Sequence, residues 1–169
     1  MKKTVLTFGL LSGALSALMM FATVPFIHTI GYERGAIVGY TAILVSFLFV
    51  YFGIRSYRDT VGAGRITFRT GFGVGILITL ISCLFYVVAW EIVYFQFMPD
   101  FGAKYAAYLA EHLRSTGASE AAVQAALDQG AELKRMLDNP LTNAAMTFTE
   151  PFPVGLLVTL ISAAVLRKK

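Results

Sequence analysis

Cysteine is nearly absent from this chain: Cys83 stands alone, which excludes an intramolecular disulfide and any cysteine-rich zinc site. It lies in an apolar stretch, where a thiol packs rather than reacts. Histidine is limited to His28 and His112. There is no His-x-x-x-His pair, no Gly-rich phosphate loop after a strand and no Gly-x-Ser-x-Gly elbow, so the commoner catalytic constellations have no residues to occupy. From the sequence we therefore expect no enzyme, no cofactor and no metal. Charge is scarce as well, at 14% of 169 residues, against about 25% in an average soluble domain. With 57% hydrophobic residues and a mean hydropathy of +0.68, the composition is that of a membrane protein and argues against a soluble enzyme with a conventional cleft. The net charge of +4 does not point to nucleic acid, because the cations stand in short clusters at the edges of apolar segments.

What is present is four long uncharged intervals. A helix rises about 1.5 Å per residue and needs about 20 apolar residues to cross roughly 30 Å of hydrocarbon. There are 29 uncharged positions between Lys3 and Glu33, 20 between Arg34 and Arg55 and 21 between Arg69 and Glu91. Only 16 separate Glu150 from Arg167, so the fourth span is short unless residues before Glu150 help to cross. The spans are expected at about 4–28, 36–54, 70–91 and 148–166, in an all-α integral membrane protein forming a single membrane domain, 1–169. The apolar start is too long for the usual core of a cleaved secretory signal, so we read a retained anchor, although Ala14-Leu15-Ser16-Ala17 resembles a cleavage motif.

Orientation follows from lysine and arginine in short loops. Lys2, Lys3, Arg55, Arg58, Arg65, Arg69, Arg167, Lys168 and Lys169 fall on one side, and the short loop opposite offers only Arg34. Both termini are thus expected in the cytoplasm. The segment of about 100–140, with a net charge of −2 from Pro99 to Asn143, becomes an extracytoplasmic helical hairpin between spans three and four. In its first helix Tyr105, Tyr108, Leu109 and His112 or Leu113 recur at helical spacing. Gly117 then breaks the pattern, and Ser119 sits as an N-cap before Glu120. The second helix carries Val123, Leu127, Gly130, Leu133 and Leu137 on one stripe and ends before Asn139-Pro140.

The candidate functional residues are few. Glu91 lies 22 positions beyond Arg69, about 33 Å along a helix, and Glu150 precedes the short fourth span, so both carboxylates are expected near the outer boundary. If a helix starts at Pro151, then Pro151 and Pro153 occupy its first turn and Glu150 faces its positive end. If helix instead continues from Ala144, the prolines release the carbonyls of Thr147 and Thr149 beside a carboxylate, an arrangement that binds cations in broken transporter helices. Arg34 is the nearest counter-charge to either acid. His28 and His112 read as interfacial polar residues. Arg55, Arg58, Arg65 and Arg69 make a tight basic loop that anchors the chain or meets anionic lipid head groups. Gly71, Gly73 and Gly75 allow close helix approach.

Residues 67–82 and 147–162 match at ten of sixteen positions, from Thr67-Phe68 and Thr147-Phe148 to Thr79-Leu80-Ile81-Ser82 and Thr159-Leu160-Ile161-Ser162. The two copies run in opposite directions across the expected membrane. Their flanks do not match and apolar segments draw on few residue types, so packing convergence or coincidence is preferred to an inverted transporter repeat.

The loop Gly53-Ile54-Arg55-Ser56-Tyr57-Arg58-Asp59 with Gly64, Ile66 and Phe68, then Tyr86, Trp90-Glu91, Asn139-Pro140 and above all Thr147-Phe148-Thr149-Glu150-Pro151-Phe152-Pro153-Val154-Gly155, resembles the bacterial membrane-protein family known as domain of unknown function 4199. The resemblance covers essentially the full length. It implies four spans, an inner-membrane location and no assigned activity. The sequence reading is therefore a small multi-pass inner-membrane protein with a structural or accessory role, whose partners are the lipid bilayer and a membrane protein or a second copy. The alternative is a small transporter or a cation- or proton-binding protein that uses Glu91 and Glu150.

Overall fold

The computed structural model describes residues 1–168. Lys169 and the side chain of His28 lie outside the described residues. The elements are α1 (Lys2–Thr23), a 3-10 turn (Val24–Phe26), α2 (Ile27–Ile30), α3 (Tyr32–Thr60), α4 (Phe68–Phe97), α5 (Phe101–Ser115), α6 (Glu120–Leu137), α7 (Pro140–Phe148) and α8 (Pro151–Leu166). Among the described residues there is no strand, only an isolated antiparallel bridge between Ile66 and Lys168. Four stretches are long and apolar enough to cross a membrane: Lys2–Phe26, Tyr32–Thr60, Phe68–Phe97 and Pro140–Leu166. The second and third helices run well beyond the charge-free intervals, because Arg and Glu at a span end sit comfortably where helix emerges into water. The fourth stretch gains its length from α7, which supplies the residues that the 16-residue interval lacks.

Breaks fall where backbone chemistry demands them. Pro25 opens the 3-10 turn after α1, and Gly31, at φ +83°, separates α2 from α3. In the α3–α4 loop Gly64 also takes a positive φ of +83°, and a Cβ on Gly62 would collide with the Arg65 carbonyl. Glycine is therefore required at both points.

The chain divides into two compact units, residues 1–90 with 147–169, and residues 91–146. In the first, helix contacts are built from small and polar residues. The buried residues of α1 are Val5, Gly9, Ser12, Gly13 and Ser16, whereas Leu10, Leu11 and Leu18 point outward. Gly9 lies against Ile81 and Gly13 against Phe85, so α1 and α4 run parallel in close contact. The centre is filled by Ile43, Phe47, Val50, Ile54, Val74, Ile78 and Cys83. Large apolar side chains cover the outside as well: Ile37, Leu44, Leu48, Leu84, Leu157, Ile161 and Val165 are all more than half exposed. In water such a surface is a liability, whereas in a bilayer lipid covers it, and small residues inside let the helices approach.

The matched segments meet at the heart of this unit. Gly71 faces Ala163, Gly75 faces Thr159, and Gly155 faces Thr79, so α4 and α8 cross antiparallel. Gly75 against Thr159 and Gly155 against Thr79 are the same contact with the two copies exchanged. Thr79 and Thr159, equivalent positions 80 residues apart, join hydroxyls at 2.9 Å. Phe68 stacks on Phe72 as Phe148 does on Phe152. The repeated sequence is thus used as a local two-fold packing device.

In the second unit α5 and α6 pack through small residues. Gly102, Ala106 and Ala110 are buried on α5, and Val123, Ala126, Gly130 and Leu137 on α6. Gly130 abuts Ala106, and Gly102 comes within reach of the Lys134 backbone. The aromatic series occupies a different side of α5, where Phe101 stacks on Tyr105 and Tyr108 on His112. Ser119 caps α6 by accepting from the Ala122 N–H at 3.3 Å.

Candidate functional site

Glu150 sits at the junction of α7 and α8. Helix α8 does begin at Pro151, with proline in its first turn, and Glu150 is its N-cap residue without using its side chain as a cap. Yet α7 continues helix up to Phe148, so the structure combines both arrangements considered from the sequence: a helix start at the prolines and a broken helix before them. The Thr147 carbonyl accepts the Glu150 N–H at 3.3 Å. The carboxylate is held by Tyr86, whose hydroxyl donates to Oε2 at 3.0 Å. Arg34, expected as the counter-charge, lies exposed near the start of α3 and forms no ion pair among the described residues. A neutral hydroxyl thus takes the place assigned to a cation, and it fixes the carboxylate without neutralising it.

Glu91 opens the second unit and is partly buried on α4. Its Oε1 is shielded from solvent and has no hydrogen-bond partner among the described residues. Glu91 and Glu150 belong to different units, and each is described within its own. Among the described residues no group of three or more His, Cys, Asp or Glu gathers as a metal site. Cys83 is fully buried, and His112 is exposed on α5.

The four loop arginines divide in two. Arg58 Nε bonds Asp59 at 2.7 Å and Arg55 approaches the same carboxylate at 3.8 Å, while Arg65 and Arg69 are exposed and have no ion pair among the described residues. Gly71 and Gly75 are consumed in the α4–α8 contact, and only Gly73 of the three faces open space.

Sequence reasoning missed the buried polar groups that tie the helices together. Ser12 Oγ donates to the Ser46 carbonyl at 2.8 Å and lies 2.9 Å from Ser82 Oγ, linking α1, α3 and α4. Gly9-x-x-x-Gly13 and Ser12-x-x-x-Ser16 carried the signal, since small residues four apart share one helix face. In the second unit Tyr94, fully buried, donates to Asp138 at 2.8 Å, and Lys134 Nζ reaches both Asp138 oxygens at 3.0 and 2.8 Å. The Lys134 bond first, then that of Tyr94, holds the Asp138 carboxyl below its ordinary value of 3.8. Buried Asn143 donates to the Leu137 carbonyl at 2.9 Å, and the Asn139 side chain accepts from the Leu141 and Thr142 N–H groups as α7 begins. The Asn139-Pro140 corner is therefore a capped turn.

A helical chain with four apolar crossing segments, an apolar exterior and a close-packed interior of apolar, small and hydroxyl residues is a small multi-pass membrane protein. It belongs to the family described as Protein of unknown function (DUF4199), whose model matches residues 7–168. No curated protein and no solved structure matches the chain.

Proposed function

We propose that this is a non-enzymatic accessory protein of the bacterial inner membrane, with both termini in the cytoplasm and the α5–α6 pair outside, meeting a membrane protein or a second copy. The observation that carries this reading is the filled interior of the first unit. Phe47, Val50, Ile54, Val74, Ile78, Thr79 and Thr159 leave at most 1% of their surface exposed, so the helices support one another rather than line a path. This reading assigns a partner to the polar outer side of α6 and the open position at Gly73. Lipid is the other partner, and neither nucleic acid nor a cofactor enters this reading. A photoreactive residue replacing Ala125 or Gly73, activated in native membranes, is expected to give one discrete adduct, either a dimer or a single partner. Diffuse labelling of lipid alone at both positions argues against it.

A second reading rests on the orphaned oxygen of Glu91, since a shielded carboxylate oxygen without a donor favours a proton or a cation. In proteoliposomes it requires a proton or cation flux that Glu150→Gln or Glu91→Gln abolishes. The accessory reading expects no flux above protein-free vesicles, with both variants unchanged.

A further inference from the structure

A cleft of about 380 Å3 opens where α3 ends, α4 begins and the chain returns after α8. It is lined by Tyr57, Val61, Arg65, Thr67, Thr70 and Lys168, among others. The two cations come from distant parts of the sequence and are brought together by backbone alone: Ile66 N–H donates to the Lys168 carbonyl at 2.9 Å, and Lys168 N–H to the Ile66 carbonyl at 3.0 Å. Both side chains are exposed, and neither has an ion pair among the described residues. Asp59, the one acid between Arg55 and Thr70, bonds Arg58 and approaches Arg55; it also feels the charge of Lys168, but forms no ion pair with Lys168 or Arg65.

We infer that this cleft binds the phosphate of an anionic phospholipid head group, with Arg65 and Lys168 as its two charge partners. The first turn of α4 adds the positive end of its dipole, since Thr67 and Thr70 line the cleft, although the Thr70 N–H itself is already taken by Thr67 Oγ1 at 3.2 Å. Lipid is favoured over a soluble phosphate by position. The cleft stands at the ends of three apolar spans, and Val61, 55% exposed, and Phe68, 37% exposed, offer apolar surface beside the cations. Arg65 supplies a planar fork for two phosphate oxygens, and Lys168 a point charge. This inference rests on the membrane location alone, not on the existence of a protein partner.

The test titrates the purified full-length protein in neutral detergent with phosphatidylglycerol, counting bound lipids by native mass spectrometry, and repeats the titration with phosphatidylcholine and with inorganic phosphate. Each cation near a lipid phosphate is worth about fivefold in affinity, so Arg65→Gln with Lys168→Gln is expected to weaken phosphatidylglycerol binding about twenty-five-fold. The charge-preserving pair Arg65→Lys with Lys168→Arg is expected to keep most of the binding, as is Arg34→Gln. Equal binding by the doubly neutralised protein, an equal loss in Arg34→Gln, or inorganic phosphate displacing the lipid at comparable concentration would each overturn the inference. Because the assay contains no partner protein, its failure leaves the accessory reading standing, and a failed crosslinking experiment leaves the lipid site standing.

Discussion

Gly155→Leu is expected to lower the stability of the first unit by at least about 3 kcal/mol and to abolish its folding in mild detergent. Even a Cβ at this position would come within 2.7 Å of Phe47 and would also overlap the Thr79 side chain. Phe47 is on α3 and Thr79 on α4, so an added isobutyl group forces α8 away from two helices at once. Inserting extra methylenes into a packed core ordinarily costs about 1–3 kcal/mol, occasionally more, and here the groups that must yield are a fully buried aromatic ring and a threonine held by its hydrogen bond to Thr159. Gly75→Leu should behave alike, because Ile54 and Thr159 would each lie 2.8 Å from a new Cβ. Gly73→Leu is the control: nothing lies within 4 Å, and its effect should stay within about 0.5 kcal/mol. Thermal unfolding in detergent, followed by circular dichroism, distinguishes these outcomes. Thr79→Val should cost far less than either bulky variant, since a hydrogen bond between membrane helices is worth only about 0.6 kcal/mol on average.

The second large effect belongs to Asn143→Ala, which is expected to destabilise the second unit by about 2–3 kcal/mol. Asn143 has no exposed surface, and its amide donates to the Leu137 carbonyl at the end of α6. Removing it leaves that carbonyl without its donor in a place water does not reach and opens a cavity beside it. Leu141→Ala, two residues earlier and 83% exposed, should be nearly neutral. Amide hydrogen exchange is the appropriate readout, with protection lost across α6 and α7 in Asn143→Ala and retained in Leu141→Ala.

These two variants mark the boundary of what the sequence discloses. The spans were legible because charge-free length is a direct consequence of hydrocarbon thickness, and Gly117 and Ser119 announced the α5–α6 turn by backbone and capping chemistry. The interior was harder to read. Periodicity arguments look for large apolar residues facing inward, but here Gly9, Ser12, Gly13, Gly75, Thr79, Gly155 and Thr159 share the interior with Phe47, Ile54 and Ile78, while Leu10, Leu11, Leu18, Leu44 and Leu48 face outward. The match between residues 67–82 and 147–162 was visible as a string, whereas its use required seeing Gly75 on Thr159 and Gly155 on Thr79. Glu150, which stands between α7 and α8, was singled out because the prolines after it allow either a helix start or a helix break. Its partner was not, because charge complementarity pointed to Arg34, and nothing in sequence spacing tells that Tyr86, 64 residues away, supplies the hydroxyl. The same holds for the cleft at Arg65, whose second cation arrives through the bridge between Ile66 and Lys168.

The proposed orientation, read from the lysine and arginine distribution, puts the α5–α6 pair outside and the basic α3–α4 loop in the cytoplasm, and it sets both the side on which a partner is met and the leaflet that supplies the lipid. The single cysteine makes that measurable. In a Cys83→Ala background, Gln129→Cys places a thiol on the exposed side of α6 and Thr60→Cys places one at the end of α3. With a membrane-impermeant maleimide applied to intact spheroplasts, Gln129→Cys is expected to label rapidly and Thr60→Cys only after lysis. Labelling of Thr60→Cys in intact spheroplasts, with Gln129→Cys protected until lysis, would contradict the proposed orientation.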